Sequence, residues 1–185
     1  MPTSDIPKQV IEIYSLMCRA ALNKEYYGAK LHRYQTASIW MDILIAIGTT
    51  GSGVSALTVW DTHYGKLVWA TLSIASTLLA LAKPILQIGK TIERISKLFT
   101  GHSSNYIGLF VILSRYKRRG ELTNEDLAAF EAAEVRFMEL SSDDDPRPSY
   151  RLIGACDEIV RKRHPPEDFL VFPREHPAQF TPAAI

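Results

Sequence analysis

Apolar residues recur at Val10, Ile13, Met17, Ala20, Tyr27, Leu31 and Tyr34, a three-four spacing interrupted by Lys24. That spacing puts them on one face of a helix. Asp5 ahead of Pro7 supplies a start signal for it. Charge then almost vanishes: residues 37–60 hold one charged side chain, Asp42, and residues 67–82 hold none. Beyond them Ile85, Ile88, Ile92, Ile95 and Phe99 resume the three-four spacing. Residues 106–113 form a short apolar run that predicts a buried helix, closed by Arg115, Lys117, Arg118, Arg119 and Gly120. Thr123 and Asp126 predict a capping box for the next helix. Residues 141–149 read as a linker and residues 150–163 as a helix stopped by Pro165 and Pro166. The pattern predicts helices throughout.

The glycines at the centre of the first apolar run allow two interpretations. Gly51, Gly53 and Ala56 fit the G-x-G-x-x-A spacing of a dinucleotide-binding loop. Such a loop needs a crossover helix after it and an acidic residue about 20 positions on. Only residues 57–60 precede the next turn-like stretch, and residues 71–77 contain neither Asp nor Glu. The nucleotide interpretation fails on this context, and no Lys-Ser or Lys-Thr follows to make a P-loop.

The same run fits a membrane. A helix over residues 37–60 is about 36 Å long, enough to cross a hydrocarbon core of about 30 Å. Residues 67–82, extended to Gly89, make a second span, and residues 61–66 suit a tight link. Trp40 stands at the start of the first span, while Trp60, Tyr64 and Trp69 flank the link, where interface anchors belong. Arg19, Lys24, Lys30 and Arg33 precede the first span and Lys83, Lys90, Arg94 and Lys97 follow the second, against Lys66 alone in the link. The positive-inside rule then predicts both termini in the cytoplasm. Asp42 and Lys83 fall at nearly one depth, either as an interfacial ion pair or as groups lining an aqueous path. Gly48, Gly51, Ser52, Gly53 and Ser55 on the first span, and Ser73, Ser76, Thr77 and Ala80 on the second, give small residues four apart. These allow close helix packing in lipid, within one hairpin or between copies in a homo-oligomer.

The expected architecture is an all-α membrane protein with a two-helix transmembrane hairpin continuing into a cytoplasmic helical bundle. Its parts are an amphipathic helix over 1–36 and a hairpin over 37–89, with spans at about 38–60 and 66–86. A helical region over 90–164 and a Pro-rich extended tail over 165–185 follow, with residues 168–172 the piece expected to dock on the bundle. Pro84 is expected to kink the second helix or mark its exit from lipid.

Composition narrows the chemistry. The formal net charge of +1 gives no bulk attraction for nucleic acid. The basic runs at 115–119 and 161–164 suit anionic lipid or nucleic acid, but both lie at helix C-termini, where cations complement the dipole. Cys18 and Cys156 belong to no metal-binding or disulfide pattern. The N-terminus lacks a basic region followed by an apolar one, so no cleaved signal peptide is expected. His32, His63, His102, His164 and His176 are scattered and no nucleophile has a base partner nearby, so neither an enzyme nor a metal or cofactor site is expected.

The basic-aromatic helix at residues 23–35, "NKEYYGAKLHRYQ", runs directly into a first span rich in small residues. With the close hairpin and the long helix after it, this stretch resembles the SLATT family, two-transmembrane bacterial proteins associated with SMODS nucleotidyltransferases and SLOG domains. The resemblance covers roughly residues 6–119. It implies a membrane effector of anti-phage defence in the bacterial inner membrane, which opens pores or disrupts the bilayer when a separate sensor signals. That sensor would be of the nucleotidyltransferase or reverse transcriptase type. The chain departs from sensor-fused relatives in carrying no recognisable SLOG or other ligand domain. A membrane-anchored interaction protein, whose bundle docks a partner, is the alternative expectation; a soluble bundle burying the hairpin is a third.

Overall fold

The computed structural model describes residues 8–54, 63–145 and 147–170; of residues 48–54, 63 and 66 it describes the backbone alone. Every regular element among them is helical: α1 Lys8–Val54, α2 His63–Ile85, α3 Ile88–Arg119, α4 Asn124–Ser142, α5 Tyr150–Arg163 and α6 Pro166–Phe169. The all-α expectation holds.

The chain divides into two compact units, one of Met1–Tyr26 with Thr100–Ile185 and one of Tyr27–Phe99. In the first unit, Val10, Ile13, Met17 and Ala20 of α1 close on Leu109, Ile112 and Leu113 of α3 and on Phe130 and Ala133 of α4. All four α1 residues of this cluster are fully buried, and Lys24, which breaks the apolar pattern, lays its ammonium 4.9 Å from the Tyr106 ring centroid. The lysine keeps its place in the stripe because an aromatic face receives the charge. The apolar run at 106–113 is the second half of α3 rather than a helix of its own, since no helix breaker separates it from residue 88.

Local chemistry fixes the helix ends. α3 stops at Gly120, whose φ of +80° suits a residue without Cβ and whose N–H donates to the Tyr116 carbonyl at 2.8 Å. α4 starts on a capping box: the Thr123 hydroxyl accepts from the Asp126 N–H, and the Asp126 carboxylate accepts from the Thr123 N–H. Residues 143–149 are more than a linker. Asp145 accepts the Tyr26 hydroxyl at 3.0 Å, and the Tyr26 hydroxyl in turn accepts the Ser149 N–H at 3.3 Å, tying the connection to α1. Residues 166–169 form a helical turn where an extended tail was expected, with Phe169 and Leu170 packed on the core. Proline at the first helical position has no N–H to leave unsatisfied, which suits the turn. The rest of the predicted tail, 171–185, lies outside the described residues.

In the second unit α1 continues without a break, so the predicted amphipathic helix and the start of the predicted first span are one element. Its covered positions, Tyr27, Leu31, Tyr34, Ser38, Met41 and Ile45, keep the three-four spacing of the residues before them. The passage from α2 to α3 is broken. Pro84 cannot donate to the carbonyl four residues back, and the helix ends one residue later. Gln87 then takes a left-handed φ of 46°, after which its carbonyl accepts from Thr91 and α3 begins. This break re-phases the chain: Ile88, Ile95 and Leu98 are buried, whereas Ile85, expected on the same seam, is 78% exposed.

Candidate functional site

α2 carries its chemistry on two opposite stripes. Gly65, Trp69, Leu72, Ser76, Leu79 and Lys83, spaced four-three-four-three-four, are covered or half covered, with Ser76 the one fully buried side chain among those described in α2. Leu67, Ile74, Leu78, Leu81 and Ile85 stand on the other side, all exposed, with Ile74 at 62% and Leu81 at 63%. The exposed stripe is made of large aliphatic groups, while the covered stripe mixes Gly65, Ser76 and Lys83 with Trp69, Leu72 and Leu79. A water-soluble amphipathic helix keeps polar residues on its exposed stripe. α1 adds Ile39, Trp40, Ile43, Leu44 and Ile47 to the exposed apolar surface of this unit. Contiguous apolar surface of this kind marks a membrane or partner contact.

Among the described residues one helix is long and apolar enough to cross a membrane, Leu67–Ile85, and 6% of that window is buried. The first predicted span is only partly visible. Gly48, Gly51, Ser52 and Gly53 lie in α1, their surroundings not described, and Ser55 and Trp60 lie outside the described residues.

Three of the hydroxyls on α2 are satisfied within the helix. Thr71 donates to the Val68 carbonyl at 2.8 Å, and Ser76 and Thr77 both donate to the Ser73 carbonyl at 2.9 Å. Back-bonding of this sort satisfies these three hydroxyl protons without water. Of the four small residues predicted to pack, Ser76 is buried and Ser73 half buried, while Thr77 and Ala80 are exposed. The counting in fours caught one edge of the inward stripe. The four-three alternation through Gly65, Trp69, Leu72 and Ser76 would have found its centre.

Asp42 and Lys83 meet as an ion pair joining α1 to the last turn of α2, with side chains 57% and 33% exposed. Their common depth was legible in the sequence, which left open whether they pair or line an aqueous path. Of the expected anchors, Trp40 and Tyr64 are exposed and Trp69 is half buried on the inward stripe.

The basic runs are engaged within the first unit. Arg115 donates to the buried Asp126 at 3.3 Å and Arg119 approaches it at 4.0 Å. Lys117 donates to the Asp168 carbonyl at 2.9 Å. Arg161 pairs with Asp157, Lys162 with Glu158, and Arg163 with Glu25. The Thr123 hydroxyl and N–H, then Arg115, hold the Asp126 carboxyl below the usual range against the cost of its burial.

His164, which ends the second run, is not part of a cationic patch. It is buried, with the rings of Tyr106, Phe110 and Phe169 at 5.5, 6.2 and 5.7 Å between centroids. The Tyr106 hydroxyl lies 3.2 Å from its Nε2, and its carbonyl accepts the Tyr14 hydroxyl at 2.8 Å. Desolvation, then the nearby Arg163 and Lys24, push its pKa down, favouring the neutral ring. Sequence reasoning missed this cage because its members lie up to 150 residues apart. Beside it, a cavity of about 600 Å³ opens between α1 and α5, with Tyr14, Cys18 and Leu22 on one wall and Val160 on the other. Burial pushes the Cys18 thiol up, away from the reactive thiolate.

Among the described residues no group of three or more His, Cys, Asp or Glu side chains could hold a metal ion. No family, curated protein or solved structure matches the chain.

Proposed function

We propose that this chain is a membrane effector of bacterial anti-phage defence, as its resemblance to the SLATT family implies. It would span the inner membrane twice, through residues of about 38–60 and 66–86, with both termini cytoplasmic. On activation by a separate sensor its hairpins assemble into homo-oligomers that open a pore or disrupt the bilayer. The observation that carries the reading is the exposed aliphatic stripe of α2, Leu67, Ile74, Leu78, Leu81 and Ile85, opposite a covered stripe in which Gly65 and Ser76 stand among Trp69, Leu72 and Leu79. In lipid such a helix gains nothing by hiding leucines and packs instead through small residues. The glycines at 48, 51 and 53 supply the matching small surface on the first span.

The test is expression of the wild type and of a Gly48→Leu, Gly51→Leu, Gly53→Leu variant in growing cells, with membrane potential followed by a dye. The wild type depolarises cells before growth stops, and the variant inserts without depolarising. Growth arrest at intact membrane potential would sink the proposal.

A second reading takes the hairpin as an anchor and the first unit as a docking module for a partner. The separate core of that unit favours it. Replacing residues 37–89 with an unrelated two-span anchor abolishes activity on the effector reading and preserves it on this one.

A further inference from the structure

The cavity of about 600 Å³ beside the His164 cage is lined by residues of the first unit alone. Ile11, Tyr14, Cys18 and Leu22 stand at three- and four-residue steps along α1, so they share one face of the helix. Val160 of α5 and Leu170 add to this apolar wall. A cleft of about 300–1,000 Å³ with apolar walls and a few placed polar groups is the usual form of a small-molecule site. The Tyr14 hydroxyl donates to the His164 carbonyl at 2.8 Å, and Asp157, the one acid among the described lining residues, pairs with Arg161 at 2.8 Å. Arg19 is placed differently. It is exposed and borders both this cavity and a second one of about 500 Å³ between α1 and α4. Glu134 lines the second cavity with it, yet Arg19 forms no ion pair among the described residues. The first cavity thus joins a long apolar wall to one unmatched cation.

We propose that this cavity binds a single-chain amphiphile of the fatty-acid type, its carboxylate on Arg19 and its chain along Ile11, Tyr14, Val160 and Leu170. A guanidinium meets a carboxylate through two parallel N–H donors, which fixes the head group as well as attracting it. Asp157 does not repel that head group as a bare charge would, because Arg161 already neutralises it. Ile11 lies about 12 Å along the helix from Arg19, a length that suits an extended chain of medium size. A cationic head group would face Arg19 with like charge, and an uncharged one would leave it unmatched. The site belongs to the first unit, so the proposal stands apart from the membrane reading of the hairpin.

The test irradiates the full-length protein, held in phosphatidylcholine nanodiscs, with a decanoic acid analogue bearing a diazirine on its chain. Mass spectrometry then maps the adducts. They fall on residues 11–22 and 160–170, and excess decanoate competes them away while excess decyltrimethylammonium does not. Each methylene removed from the competing acid raises the concentration needed about fourfold. Arg19→Gln lowers the adduct yield at sub-saturating probe about fivefold, and Arg19→Lys recovers part of it. Arg118→Gln, outside the lining, leaves the yield unchanged. Adducts confined to residues 67–85, where probe dissolved in lipid meets the exposed stripe of α2, overturn the proposal, as does the absence of adducts. Equal competition by the cationic amphiphile overturns it too, and so does an Arg19→Gln variant with the wild-type yield.

Discussion

Asp126 concentrates several demands on one carboxylate. It is fully buried, accepts from the Thr123 N–H and hydroxyl, completes the α4 cap and receives Arg115. Asp126→Asn keeps the shape but removes the charge opposite two guanidinium groups; it should cost about 1–2 kcal/mol, read as a lower denaturant midpoint. With its folded pKa held below the unfolded value, Asp126 contributes stability above about pH 4, lost as pH falls through the folded value. His164 acts in a higher window. Its depressed pKa means the unfolded chain takes up a proton first, so stability present above about pH 6.5 falls as the solution is acidified. Comparing denaturant midpoints at neutral and mildly acidic pH checks this, with His164→Phe expected to shrink the difference.

Among the elements, the break between α2 and α3 is the most sharply specified. Pro84 ends one helix, and Gln87 turns the chain in a left-handed conformation that side chains with a Cβ avoid at a cost of about 1 kcal/mol. Gln87→Gly should therefore raise the thermal midpoint of helix loss, and Gln87→Val should lower it. If valine were tolerated as well as glycine, the turn would not be held in that geometry. The break also explains why Ile85 and Ile88 separate. Three residues apart they would share a face of one straight helix, but the turn puts Ile85 outward and Ile88 inward.

At the scale of the whole molecule, the two units solve opposite solvation problems. The first gathers Val10, Ile13, Met17, Leu109, Ile112 and Leu113 into a core and pairs Arg161, Lys162 and Arg163 with acids at its surface. The second exposes Leu67, Ile74, Leu78, Leu81 and Ile85 along α2 and buries a serine. Left in water, that surface would drive association. The expected outcome is that cell membranes retain the chain through a carbonate wash and release it in detergent. Recovery of a monodisperse monomer without detergent would contradict it.

Much of this was legible in the residues alone. Gly120, the Thr123–Asp126 box and the limits of α5 are local chemistry, set by which backbone groups need partners within a few positions. The apolar segments and the common depth of Asp42 and Lys83 followed from charge spacing. The inward stripe of α2 could not be read with the same certainty, because when nearly every position is apolar, periodicity shows which residues share a face but not which face meets a neighbour. The engagement of the basic runs, the tie from Tyr26 to residues 145–149 and the cage around His164 depend on residues brought together from distant parts of the chain. Sequence thus determined the helical class, the ends set by local caps at Gly120, Thr123 and α5, and the segregation of charge. Tertiary structure alone decided which faces are covered, because burial is a property of the neighbour as much as of the residue.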